Sequence, residues 1–111
     1  MNNEVLLVFS NFPDRASAEA AANTLVAEKL AACVNILADC KSIYRWQDKT
    51  EQASEVPMII KTTGALYPQV ENVLQKLHPY EIPEIIAVPV CHGLPAYLNW
   101  VANETLPRII A

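Results

Sequence analysis

The spacing of hydrophobic positions changes along the chain, and each change marks an element. Glu4–Phe9, E-V-L-L-V-F, is a short apolar, β-branched run, the pattern of a central strand buried on both faces. Asn11-Phe12-Pro13-Asp14 ends it, and Asp14 can cap a following helix by accepting from its free first-turn amides. Arg15–Leu30 is rich in alanine and other helix formers. Ala18, Ala21, Ala22, Leu25, Val26, Lys29 and Leu30 recur at three- and four-residue steps, which predicts one apolar stripe able to lie close to a sheet.

From Ala32 to Trp46 the pattern becomes that of a strand with a polar interruption at Ala38–Lys41. Alternation sets Ser42, Tyr44 and Trp46 on one face, with Ile43 and Arg45 on the other. Gln47–Thr50 is a polar turn. A second strand then runs from about Glu51 to Thr63, with Val56, Met58 and Ile60 opposing Glu55, Pro57, Ile59 and Lys61. Pro57 has no N–H to give a ladder, so it marks an edge or a bulge. Both arms exceed the usual strand of about five or six residues.

Tyr67–Leu77 carries Val70, Val73, Leu74 and Leu77 at helical steps. Pro79 and Pro83 forbid helix over His78–Glu84. Ile85–Val90 reads as a second central strand, and Pro95 can open a helix running to Glu104. Leu106–Ile110 could return as a short strand. The order is therefore β-α-β-β-α-β with a trailing helix. Right-handed crossovers and one hairpin turn that order into a four-stranded antiparallel sheet with two helices on one face. This is a ferredoxin-like α/β sandwich with an extra C-terminal helix. The long arms and that helix are accounted for if the arms pass the parent sheet and pair with a neighbouring subunit, closing otherwise open edges.

Composition narrows the picture. The 111 residues show no repeat or linker and suit one domain spanning the whole chain. Hydrophobic residues are 52% and charged residues 18%, which excludes a disordered chain and suggests apolar surface reserved for a partner. Gly64 and Gly93 are the only glycines and lie too far apart for a dinucleotide fingerprint or a P-loop. A net charge of −4, with eight scattered Lys and Arg, argues against nucleic acid. With no basic leader and no apolar run near eighteen residues, the expectation is a chain neither secreted nor membrane-bound. Cys33, Cys40 and Cys91 are odd in number and show no C-x-x-C spacing, which fits a reduced, cytoplasmic setting.

Candidate chemistry gathers in a few segments. His78 and Glu81 could act as an acid/base or metal pair, or His78 could simply cap the preceding helix. Cys33 and Cys40 are soft ligands, nucleophiles or merely small buried side chains. Cys91-His92 is a ligand pair or a strand end. No Ser/His/Asp order is present. Tyr44 and Trp46 share a face and suit a pocket or a subunit contact. Lys61 could hold an anionic ligand, or pair with Glu55 or Glu81.

Several segments together resemble the CutA family, the divalent-cation tolerance proteins. They are Ala31-Ala32-Cys33-Val34-Asn35-Ile36, Ser42-Ile43-Tyr44-Arg45-Trp46, Glu55 with Met58-Ile59-Ile60-Lys61-Thr62, His78-Pro79-Tyr80-Glu81-Ile82-Pro83-Glu84-Ile85, and Tyr97-Leu98-Asn99-Trp100. The resemblance runs from about Val5 to Trp100. It implies a ferredoxin-like subunit in a PII-like homotrimer built through the long arms, a cytoplasmic setting, and a role in tolerance of or response to copper or another divalent cation. It also implies ligand clefts between subunits at Cys33, Tyr44, Trp46, Glu55, Lys61, Tyr80, Glu81, Glu84 and Trp100, with His78 as a metal ligand. Two departures stand out. The copper positions described in part of the family match Ser10, Leu77 and His78, which leaves one such ligand. The family's Trp-x-Gly turn is Trp46-Gln47-Asp48 here.

The resulting expectation is a non-enzymatic homotrimer that binds a metal ion or small anion in its clefts, with PII-like signalling as an extension. The alternatives are a small enzyme using His78, Glu81 and Cys33, and a scaffold that binds no metal. An RNA-binding ferredoxin-like domain would need a basic aromatic strand motif that the sequence lacks.

Overall fold

A computed structural model describes residues 4–106. The helices form where the periodicity places them. β1 (Val5–Phe12) leads to α1 (Arg15–Ala27), then β2 (Cys33–Ile36), β3 (Cys40–Trp46) and β4 (Lys49–Thr63). A 3-10 turn over Gly64–Leu66 opens α2 (Tyr67–Leu77), followed by β5 (Ile86–Pro89) and α3 (Pro95–Asn103). The antiparallel sheet has the order β2-β4-β1-β5, and β3 continues along the free half of β4. This is the ferredoxin-like order. The returning strand expected at Leu106–Ile110 falls almost wholly outside the described residues.

Even positions of β4 and β1 face the helices. Val8, Phe12, Val56, Met58 and Ile60 are buried there with Ala18, Ala21, Ala22 and Leu25 of α1 and Val70 and Leu74 of α2. The alanines keep α1 close to the sheet, as the stripe predicts. Val26 and Leu77, also on predicted stripes, are 44% and 45% exposed, so each stripe is narrower than its apolar count. Asp14 caps α1 by accepting from the Ser17 amide at 2.7 Å. That bond to the charged form holds its carboxyl below the usual carboxylate range.

α1 ends three residues earlier than the composition suggests, in a Schellman turn. The Leu30 N–H donates to the Leu25 carbonyl at 2.9 Å and the Lys29 N–H to Val26 at 3.0 Å. Lys29 sits at φ 59°, the left-handed position usually given to glycine. β1 runs past its expected break, because Asn11 and Phe12 pair with Pro57 and Val56. A strand inside a sheet is ended by loss of partners, and here the partner strand continues.

Pro57 sits at a bulge. Ile36 pairs with Met58 and Cys40 with Glu55, so Leu37–Asp39 span the two residues Val56 and Pro57. The missing N–H falls where the ladder breaks and the edge of β4 passes from β2 to β3. Arg15 ties this bulge to the start of α1, donating to the Leu37 carbonyl at 3.0 Å and to Asp39 at 3.2 Å. Beyond it the β3–β4 arm projects, giving extents of 47 × 27 × 24 Å. The tip turns through Gln47 (φ 50°) and Asp48 (φ 66°), a two-residue turn with both centres left-handed and neither a glycine.

Candidate functional site

The arm, the end of β1 and the loop after α2 enclose a cleft of about 550 Å³. β3 presents Ser42, Tyr44 and Trp46 to it, two residues apart on one face as alternation predicts, and Ile43, expected on the other face, lines it as well. β4 adds Glu55, opposite Cys40 in register, and β1 adds Asn11. The loop contributes Tyr80, Glu81, Ile82 and Glu84.

Glu55 is the chemical centre. Only 8% of it is exposed, and both its oxygens are held. The Ser42 hydroxyl donates to Oε1 at 2.5 Å and the Tyr80 hydroxyl to Oε2 at 2.9 Å. The Tyr80 hydroxyl is pushed up to about 12, first by burial and then by its bond to Glu55. It therefore stays protonated at neutral pH and acts as a donor. Asn11 donates from Nδ2 to Glu84 at 3.2 Å, fixing a second carboxylate at the opening.

His78 holds the loop in place. It is 6% exposed, with its ring 4.2 Å from Phe12 and 4.7 Å from Tyr80. The Tyr80 amide donates to Nδ1 at 3.2 Å, so that nitrogen carries the lone pair. Nε2 must then carry the proton, which it donates to the Asn11 carbonyl at 2.6 Å. The ring does not cap α2; it crosses to β1. Both nitrogens are engaged, and both partners lead to cleft residues.

Within one subunit, the residues expected at clefts between subunits fall into two groups. Tyr44, Trp46, Glu55, Tyr80, Glu81 and Glu84 come together. Cys33 and Lys61 pair across β2 and β4 at the other end of the sheet. There the Lys61 ammonium stands 5.6 Å from the Tyr97 ring, which lies 5.6 Å from Trp100. Lys61, the side chain expected to hold an anion, thus stands outside this subunit's cleft, which no Lys, Arg or His lines among the described residues. Nor does it pair with Glu55 or Glu81. Asn11 was readable only as a strand breaker, and Ser42 shares a face with Tyr44 and Trp46, a signal sufficient to find it.

The copper-related positions also separate. Ser10 is buried on the helix-facing side of β1, its hydroxyl without a partner among the described residues. Leu77 is exposed at the end of α2. Among the described residues no three His, Cys, Asp or Glu side chains converge as a metal cage. Cys33, Cys40 and Cys91 are unpaired. No helix among the described residues is long and apolar enough to cross a membrane.

Known proteins share this sequence pattern and fold. A family profile described as "CutA1 divalent ion tolerance protein" matches residues 6–104. The divalent-cation tolerance protein CutA of Thermus thermophilus is 40% identical over 102 residues, 92% of this chain and 97% of that protein. Mouse protein CutA is 43% identical over 101 residues, 91% of this chain; the match spans only 57% of the mouse protein's length. The crystal structure of CutA1 from Shewanella sp. SIB1 superposes with a TM-score of 0.89 at 43% identity, over 92% of this chain and 95% of that one.

Proposed function

Because the chain belongs to the CutA1 divalent ion tolerance protein family, we propose that it serves divalent-cation tolerance as a homotrimeric, non-catalytic protein that takes up a small ligand in the cleft beneath its arm. The observation that carries this reading is the cleft itself. A volume of about 550 Å³ falls in the range of small-molecule sites, and its walls combine apolar surface with a few fixed polar groups. Glu55, buried and oriented by two hydroxyl donors, is such a group.

Assembly is supported by surface that a lone subunit leaves open. Ile43 on the arm, Ile82 on the loop and Leu94 before α3 are 63%, 70% and 71% exposed. Exposed apolar side chains on a projecting arm are what an arm-mediated interface would cover. Catalysis by His78 is disfavoured because its imidazole has no nitrogen left to move a proton. Copper(II) prefers imidazole and related donors. With His78 engaged, Ser10 buried and Leu77 without a donor atom, the described residues do not form a copper site, and the link to metal tolerance runs through the cleft ligand.

Light scattering of the purified chain is expected to give three times the subunit mass of 12.3 kDa. A strain lacking the gene is then challenged with graded copper and zinc, carrying either the wild type or Glu55→Gln. The variant is expected to remain trimeric yet fail to restore tolerance. A monomer overturns the assembly, and full restoration by Glu55→Gln overturns the role of the cleft.

A further inference from the structure

We propose that Arg15 sets the direction of the β3–β4 arm for assembly, holding it at the Pro57 bulge in the pose that further copies of the chain engage. This rests on the arm-mediated trimer proposed above and assigns the residue that prepares each subunit for it. The bonds concerned all lie inside one subunit and do not depend on which faces its neighbours cover.

The joint is weak where the arm leaves the sheet. On one flank of β4 the ladder is continuous, since Phe12 of β1 pairs with Val56 and Asn11 with Pro57. On the other flank it stops at Ile36 and Met58 and resumes at Cys40 and Glu55. Pro57 has no N–H to give. Among the described residues the Leu37 N–H, donating to the Pro57 carbonyl at 2.9 Å, is the one backbone bond across that gap. A bulge bends its strand and increases the local twist. The angle of everything beyond it therefore follows from what fixes Leu37–Asp39.

Arg15 fixes that span from outside the sheet. It is the first residue of α1, directly after the Asp14 cap. The helix itself is anchored, because Asp14 accepts from the Ser17 amide at 2.7 Å and Ala18, Ala21, Ala22 and Leu25 are buried. From this base Nη2 donates to the Leu37 carbonyl at 3.0 Å and to Asp39 Oδ1 at 3.2 Å, the two ends of the bulged span. β4 lies between β1 and β2, so the guanidinium joins the two flanks of β4 where only one of them is laddered. Bonds from a charged donor are stronger than neutral ones, and a guanidinium holds its donors in a fixed plane. In the free subunit a surface Arg–Asp pair adds little to stability. Its effect is orientation.

Trimer formation amplifies orientation. A subunit whose arm is correctly set for only a fraction of the time binds its partners with that fraction of its intrinsic affinity. Each of three subunits contributes the same factor. A loss of about threefold per subunit therefore becomes about 27-fold in the trimer. A contact of small worth to one subunit thus carries a large effect in the assembly.

The test is the assembly of the full chain after dilution from urea, for the wild type, Arg15→Ala, Arg15→Lys and Asp39→Asn. Circular dichroism follows folding of the subunit, and light scattering at several subunit concentrations follows the trimer. Arg15→Ala is expected to fold as fast as the wild type yet form trimer roughly tenfold more slowly. Once assembled, it should exchange subunits with tagged wild-type chains roughly tenfold faster. Arg15→Lys keeps a charged donor without the planar fork and should restore part of the loss. Asp39→Asn keeps the Leu37 bond and should lose less than Arg15→Ala. Assembly and exchange of Arg15→Ala at wild-type rates overturn the proposal. Folding slowed in step with assembly also overturns it, because a residue that merely holds the fold acts there first. If Arg15→Ala does not refold, Asp39→Asn decides, and its assembly at the wild-type rate overturns the proposal. A wild-type chain that stays monomeric overturns the arm-mediated trimer itself, and the role of Arg15 falls with it.

Discussion

β4 lives in two environments, and the contrast explains the molecule. Its C-terminal half, Val56–Thr63, lies between β1 and β2 under two helices, with Val56, Met58, Ile60 and Thr62 almost wholly buried. Its N-terminal half, Lys49–Glu55, has β3 as its only strand partner among the described residues and projects past the sheet. One strand thus serves as core and as exposed ribbon, with Pro57 and the bulge at the boundary. Isolated two-stranded ribbons are marginal in water. The arm therefore depends on contacts outside its own hydrogen bonds, whereas the sheet half is held by its core.

The largest effect should come from the core side. Phe12 is fully buried and supports the His78 ring, so Phe12→Ala is expected to cost about 3–5 kcal/mol, a large part of ordinary domain stability. Urea unfolding of the variant measures it. Ile43→Ala on the arm is the contrasting change. If the arm were free in solution, removing a side chain 63% exposed should shift stability by no more than about 0.5 kcal/mol. A loss well above that, in the same assay, would show the arm covered in the assembly.

His78→Ala comes next, at about 2 kcal/mol, because it removes two hydrogen bonds and leaves a gap beside Phe12. Its distinguishing readout lies at the cleft. Without the link from Asn11 through the ring to the Tyr80 amide, the Tyr80 hydroxyl should lose its fixed place at Glu55. Tyrosinate absorbance during alkaline titration follows this directly. In the wild type, burial and the bond to Glu55 push the folded hydroxyl up to about 12, above the unfolded value near 10. The stabilisation it represents is fully present below pH 10 and lost as pH rises toward 12, since the folded state holds the proton longer. Tyr80→Phe should remove that limb. A high tyrosine titration that persists in Tyr80→Phe assigns it elsewhere.

Periodicity reads the sheet and core well, and the arm less well, for the same reason that their energetics differ. The bounds of α2 and the face assignment of β4 follow from spacing because burial imposes that spacing. The end of β1 does not, since Asn11-Phe12-Pro13-Asp14 looks like a break until Pro57 and Val56 are seen opposite. The cleft divides along the same line. Glu55 and Lys61 share a face of β4, so alternation and the CutA resemblance place both among site residues. Six residues of extended chain separate them by about 20 Å, and which end of a long strand meets the loop is a tertiary fact. Tyr44, Trp46 and Glu55 meet because the turn after Trp46 sets their register. Tyr80 joins them from the loop that His78 ties to Asn11, through its own bond to Glu55.

The smallest change tests that turn. Lys29 in the body and Asp48 at the tip of the arm both occupy left-handed backbone positions without being glycine. Replacing either with glycine relieves about 1 kcal/mol of local strain, partly offset by the greater freedom of glycine in the unfolded chain. For Lys29→Gly the gain should appear in the thermal midpoint, because the Schellman turn precedes Leu30 and Ala31, both buried in the core. For Asp48→Gly the outcome depends on how the arm opens. If the ribbon unfolds with the sheet, the two variants should shift the midpoint alike. If it opens by itself beyond the bulge, Asp48→Gly should leave the midpoint unchanged and slow amide exchange only along Cys40–Glu55. The division of β4 at Pro57 favours the second result. Equal midpoint shifts would instead make the arm and the sheet one cooperative unit.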